Sequence, residues 1–144
     1  MNMPQSEPYI LLIDDDHDDL DMFSAGLQKK GIKVKTFDSS INALAYLTFM
    51  TATRNLQPSL IIMDYNMPKK NGHQALLAIK QNAGTKHIPV VMYSTSMPRI
   101  LKEQLSDAGA IDCFIKPWTL QEFDRQFEIF GELTYSYLPN KQIA

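Results

Sequence analysis

The sequence predicts an α/β fold in which a parallel sheet carries helices on both faces. Short apolar runs alternate with amphipathic stretches as far as residue 133, the pattern of repeated strand and helix units. Three of those runs, YILLI, LIIM and VVMYS, are almost continuously apolar, as parallel strands covered on both faces must be. The chain has 144 residues, 44% hydrophobic and 21% charged, enough for one domain with a real core and too few for a two-domain enzyme.

Taken in order, the strands fall at residues 9–13 (YILLI), 33–37 (KVKTF), 60–63 (LIIM), 90–94 (VVMYS) and 113–115 (CFI). After the first strand, Asp16 can cap a helix with Asp18 and Asp19 in its first turn, Leu20, Phe23 and Leu27 inward, and Lys29 and Lys30 before Gly31. Ser39 or Ser40 starts a second helix that buries Ile41, Leu44 and Leu47 or Ala45. A third runs from about Gly72 to Asn82 with Ala75, Leu76 and Ile79 inward. Pro98 suits the first turn of a fourth, which buries Leu101, Leu105 and Ala108 and stops at Gly109. Thr119 caps a fifth with Leu120, Phe123, Phe127 and Phe130 spaced by three and four. Residues 51–58 read as a connection and 134–144 as a tail, so a single domain over 1–144 with a core of about 8–133 is expected.

The formal net charge is -2, from 14 Lys plus Arg against 16 Asp plus Glu, and no basic stripe could neutralise several phosphates. No direct nucleic-acid contact is therefore expected. The acids are uneven: Asp14, Asp15, Asp16, Asp18, Asp19 and Asp21, six of the 16, are packed into eight positions. Carboxylates crowded beside a buried strand repel one another unless a cation or a helix N-terminus is there, so this cluster is where chemistry is expected. The lone Cys113 excludes an internal disulfide and a Cys-based zinc site. Apolar runs are short and no leader pattern opens the chain, so the expectation is a cytoplasmic protein with no membrane contact.

In an open parallel sheet, the loops at the carboxyl ends of the strands meet at one edge. Read off in order, those ends supply Asp14 and Asp15, then Asp64, then Ser94, then Lys116. Three carboxylates without His or Cys partners select a hard divalent ion, Mg²⁺ first. A lysine and a hydroxyl facing that ion suit a phosphoryl group, and Asp64, ending the most buried strand, is the best-placed nucleophile.

At this point the chain resembles the response-regulator receiver domain, a stand-alone chemotaxis-type member of two-component signalling. The resemblance rests on ILLIDDD with Asp14 and Asp15, LIIMDYNMP around Asp64, Gly72 in PKKNG, VVMYS ending at Ser94, and FIKP with Lys116 before Pro117. It spans about Tyr9 to Leu133 and implies a flavodoxin-like, doubly wound five-stranded sheet of order 2-1-3-4-5, with two helices on one face and three on the other. It further implies that Asp64 accepts a phosphoryl group from a histidine kinase or phosphotransfer protein, assisted by Ser94 and Lys116. Asp15, Asp64 and the backbone carbonyl of Asn66 would hold Mg²⁺, Asp14 acting mainly through water, and the bond from Lys116 to Pro117 would be cis. Such a chain is not an enzyme beyond its own phosphorylation and dephosphorylation. With no output domain of its own, it would signal by changed binding to an unidentified protein, as a monomer or weak homodimer. One departure stands out: where receivers usually carry an aromatic residue three positions before the lysine, this chain has Cys113, and Phe114 faces the other way.

Blander roles are assigned alongside. Asp16, Asp18 and Asp19 read as helix-capping acids, His17, His73 and His87 as solvated, and Cys113 as a small buried hydrophobe. Tyr135, Tyr137 and Leu138 read as tail residues over an apolar patch or, alternatively, as a dimer contact. Two competitors remain: a phosphatase similar to haloacid dehalogenase-type hydrolases, using the Asp14/Asp16 spacing, and a pseudo-receiver that is never phosphorylated.

Overall fold

The computed structural model describes residues 7–67 and 69–136. In chain order the elements are β1 (Tyr9–Ile13), α1 (His17–Lys29), β2 (Lys33–Phe37), α2 (Ser40–Ala52), β3 (Leu60–Asp64), α3 (Gly72–Gln81), β4 (Val90–Ser94), α4 (Arg99–Asp107), β5 (Asp112–Ile115) and α5 (Leu120–Ser136). All pairings in the sheet are parallel and the order is β2-β1-β3-β4-β5. This is the flavodoxin-like arrangement expected.

Burial follows sheet position. Every residue of β3 and β4 is buried, whereas β2 at one edge is largely exposed and carries Lys33 and Lys35, charges that blunt an open edge. Alternate residues split the core into two layers. Leu11, Ile13, Ile61, Met63 and Met92 pack under α2, α3 and α4 through Leu47, Leu76 and Leu105. On the other face Ile10, Leu12, Ile62 and Tyr93 meet α1 and α5 through Phe23, Leu27, Phe127 and Phe130. Phe23 is the hub there, with ring centroids 5.1 Å from Tyr93, 5.4 Å from Phe123 and 5.5 Å from Phe127. A Cβ on Gly26 would stand 2.1 Å from the Phe127 ring, so α1 and α5 approach this closely only because residue 26 lacks one.

Helix termini follow from capping chemistry. The Asp16 carboxylate accepts from the backbone N–H groups of Asp18 and Asp19, Ser39 caps α2, and Thr119 accepts from the Glu122 N–H. At α3 Asn71 and Gln74 form a reciprocal capping box, a start signal that the sequence itself carries one residue before Gly72.

Several details differ from expectation. Pro98 occupies the cap position and α4 begins one residue later; Leu105 is buried while Leu101 and Ala108 are half-buried. Leu120 is 82% exposed, bordering a groove between α1 and α5 with Met22 and Phe123 instead of filling the core. Ile41 also faces outward, Ala43 and Leu47 taking the inner side of α2. The last helix runs through Ser136, with Thr134 buried and its hydroxyl donating to the Phe130 carbonyl at 2.7 Å. Tyr135 is thus an exposed helical residue, and Tyr137 and Leu138 lie outside the described residues. Among the described residues no helix is long and apolar enough to cross a membrane.

Candidate phosphoryl-acceptor site

Strand register assembles the site. Ile13 pairs with Met63, Asp64 with Tyr93, and Ser94 with Ile115, so Asp14, Asp64, Ser94 and Lys116 come to one edge within a residue of one another. The Lys116 N–H donates to the Ser94 carbonyl at 2.8 Å, extending the β4–β5 ladder to the lysine. After Asp64 the chain turns sharply: the Gly72 N–H donates to the Tyr65 carbonyl at 2.9 Å and the Ser40 hydroxyl to the Lys70 carbonyl at 2.7 Å. A Cβ on Gly72 would meet the Met92 Cε at 2.6 Å and the Asp64 carbonyl oxygen at 2.7 Å, so only glycine lets α3 start this close to the acid.

Asp14 is fully buried, Asp64 is 3% exposed and Asp15 is open to solvent. One carboxylate oxygen from each lies within 4.8 Å of the others. The donor set is all oxygen, which fits a hard divalent cation. The three are not equivalent. Asp14 Oδ1 accepts from the Asp16 N–H at 2.9 Å and its Oδ2 accepts from the Tyr93 hydroxyl, so protein donors already engage both oxygens. Asp64 Oδ1 accepts from the Asn66 N–H at 3.2 Å. Asp15, at the mouth, is the acid most available to an incoming ion.

Burial, then the neighbouring Asp14 charge, push the Asp64 carboxyl up to about 7, against the pull of Lys116 and the Asn66 N–H. Lys116 Nζ lies 2.8 Å from Asp19 Oδ2, 3.3 Å from Asp14 Oδ2 and 3.5 Å from Asp64 Oδ2, and 4.9 Å from the centre of the Tyr93 ring. Burial alone would lower its ammonium; the Asp19 hydrogen bond and the charges of Asp64 and Asp14 outweigh that and raise it. The Tyr93 phenol is likewise held well above its ordinary value, by burial first and by Asp14 second, so it stays a donor. Ser94, fully buried, accepts from the Asn66 side-chain amide at 3.0 Å.

Asp14, Asp15, Asp64, Ser94 and Lys116 thus meet as the sequence places them. Two participants escaped the sequence reading. Asp19, read there as a capping acid, sends its carboxylate to Lys116, a partner 97 positions away that no local pattern reveals. Tyr93 carried a signal: a tyrosine inside an apolar strand needs a partner for its hydroxyl, and the acids at the next strand end are the available ones. Asp16 spends its side chain on the α1 cap and lies outside the acidic group, which removes the second acid that the phosphatase alternative needs. The Lys116–Pro117 bond is trans, contrary to the implied cis form; the trans backbone already delivers the ammonium to the three carboxylates. Cys113 is buried on the α2–α3–α4 face and burial pushes its thiol up, which suits an inert hydrophobe. Phe114 faces the other layer, against Phe130 at 5.3 Å. His17 bonds to Asp38 at 3.0 Å at the surface and His87 is exposed.

Comparison with known proteins agrees with this geometry. Residues 10–128 match the response regulator receiver domain family. The two-component response regulator ORR3 of Oryza sativa is 35% identical over 115 residues, covering 80% of this chain and 84% of its own. The phosphorylated cyanobacterial phytochrome response regulator RcpA superposes with a TM-score of 0.80 at 26% identity, over 92% of this chain and 97% of that one. The Mn²⁺-bound form of response regulator Rcp1 gives 0.76 at 25% identity, over 88% and 93%. With a buried aspartate, an acidic pair, a hydroxyl and a lysine converging at the carboxyl edge of such a sheet, the chain belongs to the response regulator receiver domains of two-component signalling, a family phosphorylated on aspartate.

Proposed function

We propose that Asp64 is the phosphoacceptor, and that the chain takes a phosphoryl group from a histidine kinase or a histidine phosphotransfer protein. The observation that carries this reading is the placement of the Asp64 carboxylate, nearly buried, between an acidic pair and an ammonium 3.5 Å away. In the transfer an Asp64 oxygen attacks phosphorus and forms a P–O bond. The P–N bond of a phosphohistidine donor breaks with its electron pair returning to the imidazole; from acetyl phosphate, acetate leaves instead.

Asp15, Asp64 and the Asn66 carbonyl would hold Mg²⁺, with Asp14 oriented toward its water shell. The bound ion supplies positive charge that keeps the carboxylates ionised and neutralises phosphoryl oxygens. Lys116 donates to one phosphoryl oxygen and Ser94 to another, each pre-positioned by a strand. Tyr93 fixes Asp14 by its hydrogen bond and seats Lys116 over its ring.

Residues 1–144 act as one cytoplasmic receiver unit whose output is a change of surface. Ile100, Ile115 and Trp118, all exposed around α4, β5 and the start of α5, mark where a downstream protein would bind. The test is incubation with acetyl phosphate with and without Mg²⁺. A single, Mg²⁺-dependent phosphoryl mass that hydroxylamine removes supports the reading. Many turnovers of an aryl phosphate per protein would replace it with a hydrolase, and no label at all would leave a pseudo-receiver.

A further inference from the structure

We infer that Asp19 is a positioning residue that withholds Lys116 from the phosphoryl site, so that phosphorylation exchanges one lysine ion pair for another. This rests on the reading of Asp64 as phosphoacceptor. The shortest contact of the Lys116 ammonium is with Asp19, at 2.8 Å, against 3.5 Å to Asp64. Asp19 lies outside the group of acids that can share a cation, which is Asp14, Asp15 and Asp64. It therefore adds negative charge beside the reacting centre without helping to hold the ion.

Position decides the direction of the pull. The Asp19 side chain is 24% exposed in the first turn of α1, while Asp14 and Asp64 lie beneath. Asp19 thus draws the ammonium toward the rim, and the Tyr93 ring, 4.9 Å from Nζ, sets its seat. A phosphoryl group on Asp64 replaces a carboxylate of at most one negative charge with an acyl phosphate of about two on the inner side, which attracts Lys116 and repels Asp19. The pair that ties the first turn of α1 to the loop after β5 then lengthens. No aromatic ring at position 113 is needed for this response.

The experiment measures the rate of labelling by acetyl phosphate at saturating Mg²⁺ for wild type, Asp19→Asn and Asp19→Glu, read by intact mass. Asp19→Asn should label about 1.5- to fivefold faster, the scale of one part-exposed ion pair, with the added mass still on Asp64. Asp19→Glu, which keeps the charge, should stay near wild type. A residue with only a structural role would slow labelling when replaced, so acceleration is the signature of positioning. Labelling of Asp19→Asn at or below the wild-type rate overturns the inference, as does Asp19→Glu behaving like Asp19→Asn. If wild type takes no label on Asp64, the phosphoacceptor reading falls and this inference with it.

Discussion

The side-chain amide of Asn66 donates to the hydroxyl of Ser94 at 3.0 Å, tying the residue two beyond Asp64 to the end of β4 across the mouth of the site. The Ser96 N–H points at the same oxygen from 3.4 Å, so Ser94 is held as an acceptor while its own proton remains to be donated. A phosphoryl group on Asp64 would offer that proton a charged acceptor, a hydrogen bond available in the modified state alone.

Ser94→Ala is accordingly expected to accept the phosphoryl group on Asp64 yet to lose most of the conformational response. Cys113→Ala should keep it, since a small buried thiol offers no ring to turn inward. Amide chemical shifts across residues 95–118, recorded with and without beryllofluoride and Mg²⁺, separate the two. A full response in Ser94→Ala together with a lost one in Cys113→Ala would place the switch in β5.

Metal affinity should divide the acidic pair. Protein donors engage both oxygens of Asp14, whereas Asp15 faces solvent. Groups acting on a metal through an intermediary cost about 10- to 100-fold when removed. Asp14→Ala is expected near the lower end for Mg²⁺ or Mn²⁺, and Asp15→Ala at or beyond the upper. Asp14→Ala should also destabilise the fold by about 1–3 kcal/mol through the orphaned Tyr93 hydroxyl. Calorimetric titration and thermal melts test both; equal affinity of Asp15→Ala and wild type contradicts the assignment.

The raised Asp64 carboxyl makes stability depend on pH. Its value is about 7 in the folded protein against 3.8 ordinarily, so between those values the folded state retains a proton that the unfolded chain releases. In metal-free buffer this stabilising contribution is complete below about 4 and is lost as pH rises through about 7. Mg²⁺ binds the ionised form, so its stabilisation should grow over the same window. Melting curves at pH 5 and pH 8, with EDTA and with Mg²⁺, are expected to show the larger Mg²⁺ increment at pH 8. Equal increments at the two pH values would mean that Asp64 is already ionised at pH 5.

Gly72→Ala tests how the site is built. Its Cβ would sit 2.6–2.7 Å from the Met92 side chain and the backbone of Asp64 and Tyr65, so the start of α3 must move away from the acceptor. Overpacking of this kind costs about 1–3 kcal/mol. Denaturant melts should register that loss, and labelling of Asp64 should slow; an unchanged midpoint would show that the turn has slack.

Much of this was legible in the sequence because strand ends in a parallel sheet are set by local patterns. The apolar runs fix where each strand ends, so Asp14, Asp64, Ser94 and Lys116 follow from counting. What escaped depends on contacts across the fold. Asp19 meets Lys116 only after β5 has been placed at the far edge of the sheet and its loop brought back over α1. Leu120 has the spacing of a core residue, but the groove at the start of α5 leaves it open. The end of α5 is not legible from periodicity, which sees the apolar stripe stop, because Thr134 is a polar residue satisfied inside the helix.

The most direct test of the account is intact-mass and peptide-level analysis after acetyl phosphate and Mg²⁺, on wild type and on Asp64→Asn. The arrangement of Asp64 between the acidic pair and Lys116 predicts one phosphoryl group per chain, located on Asp64 and absent from the variant. An undiminished phosphoryl mass in Asp64→Asn would contradict it.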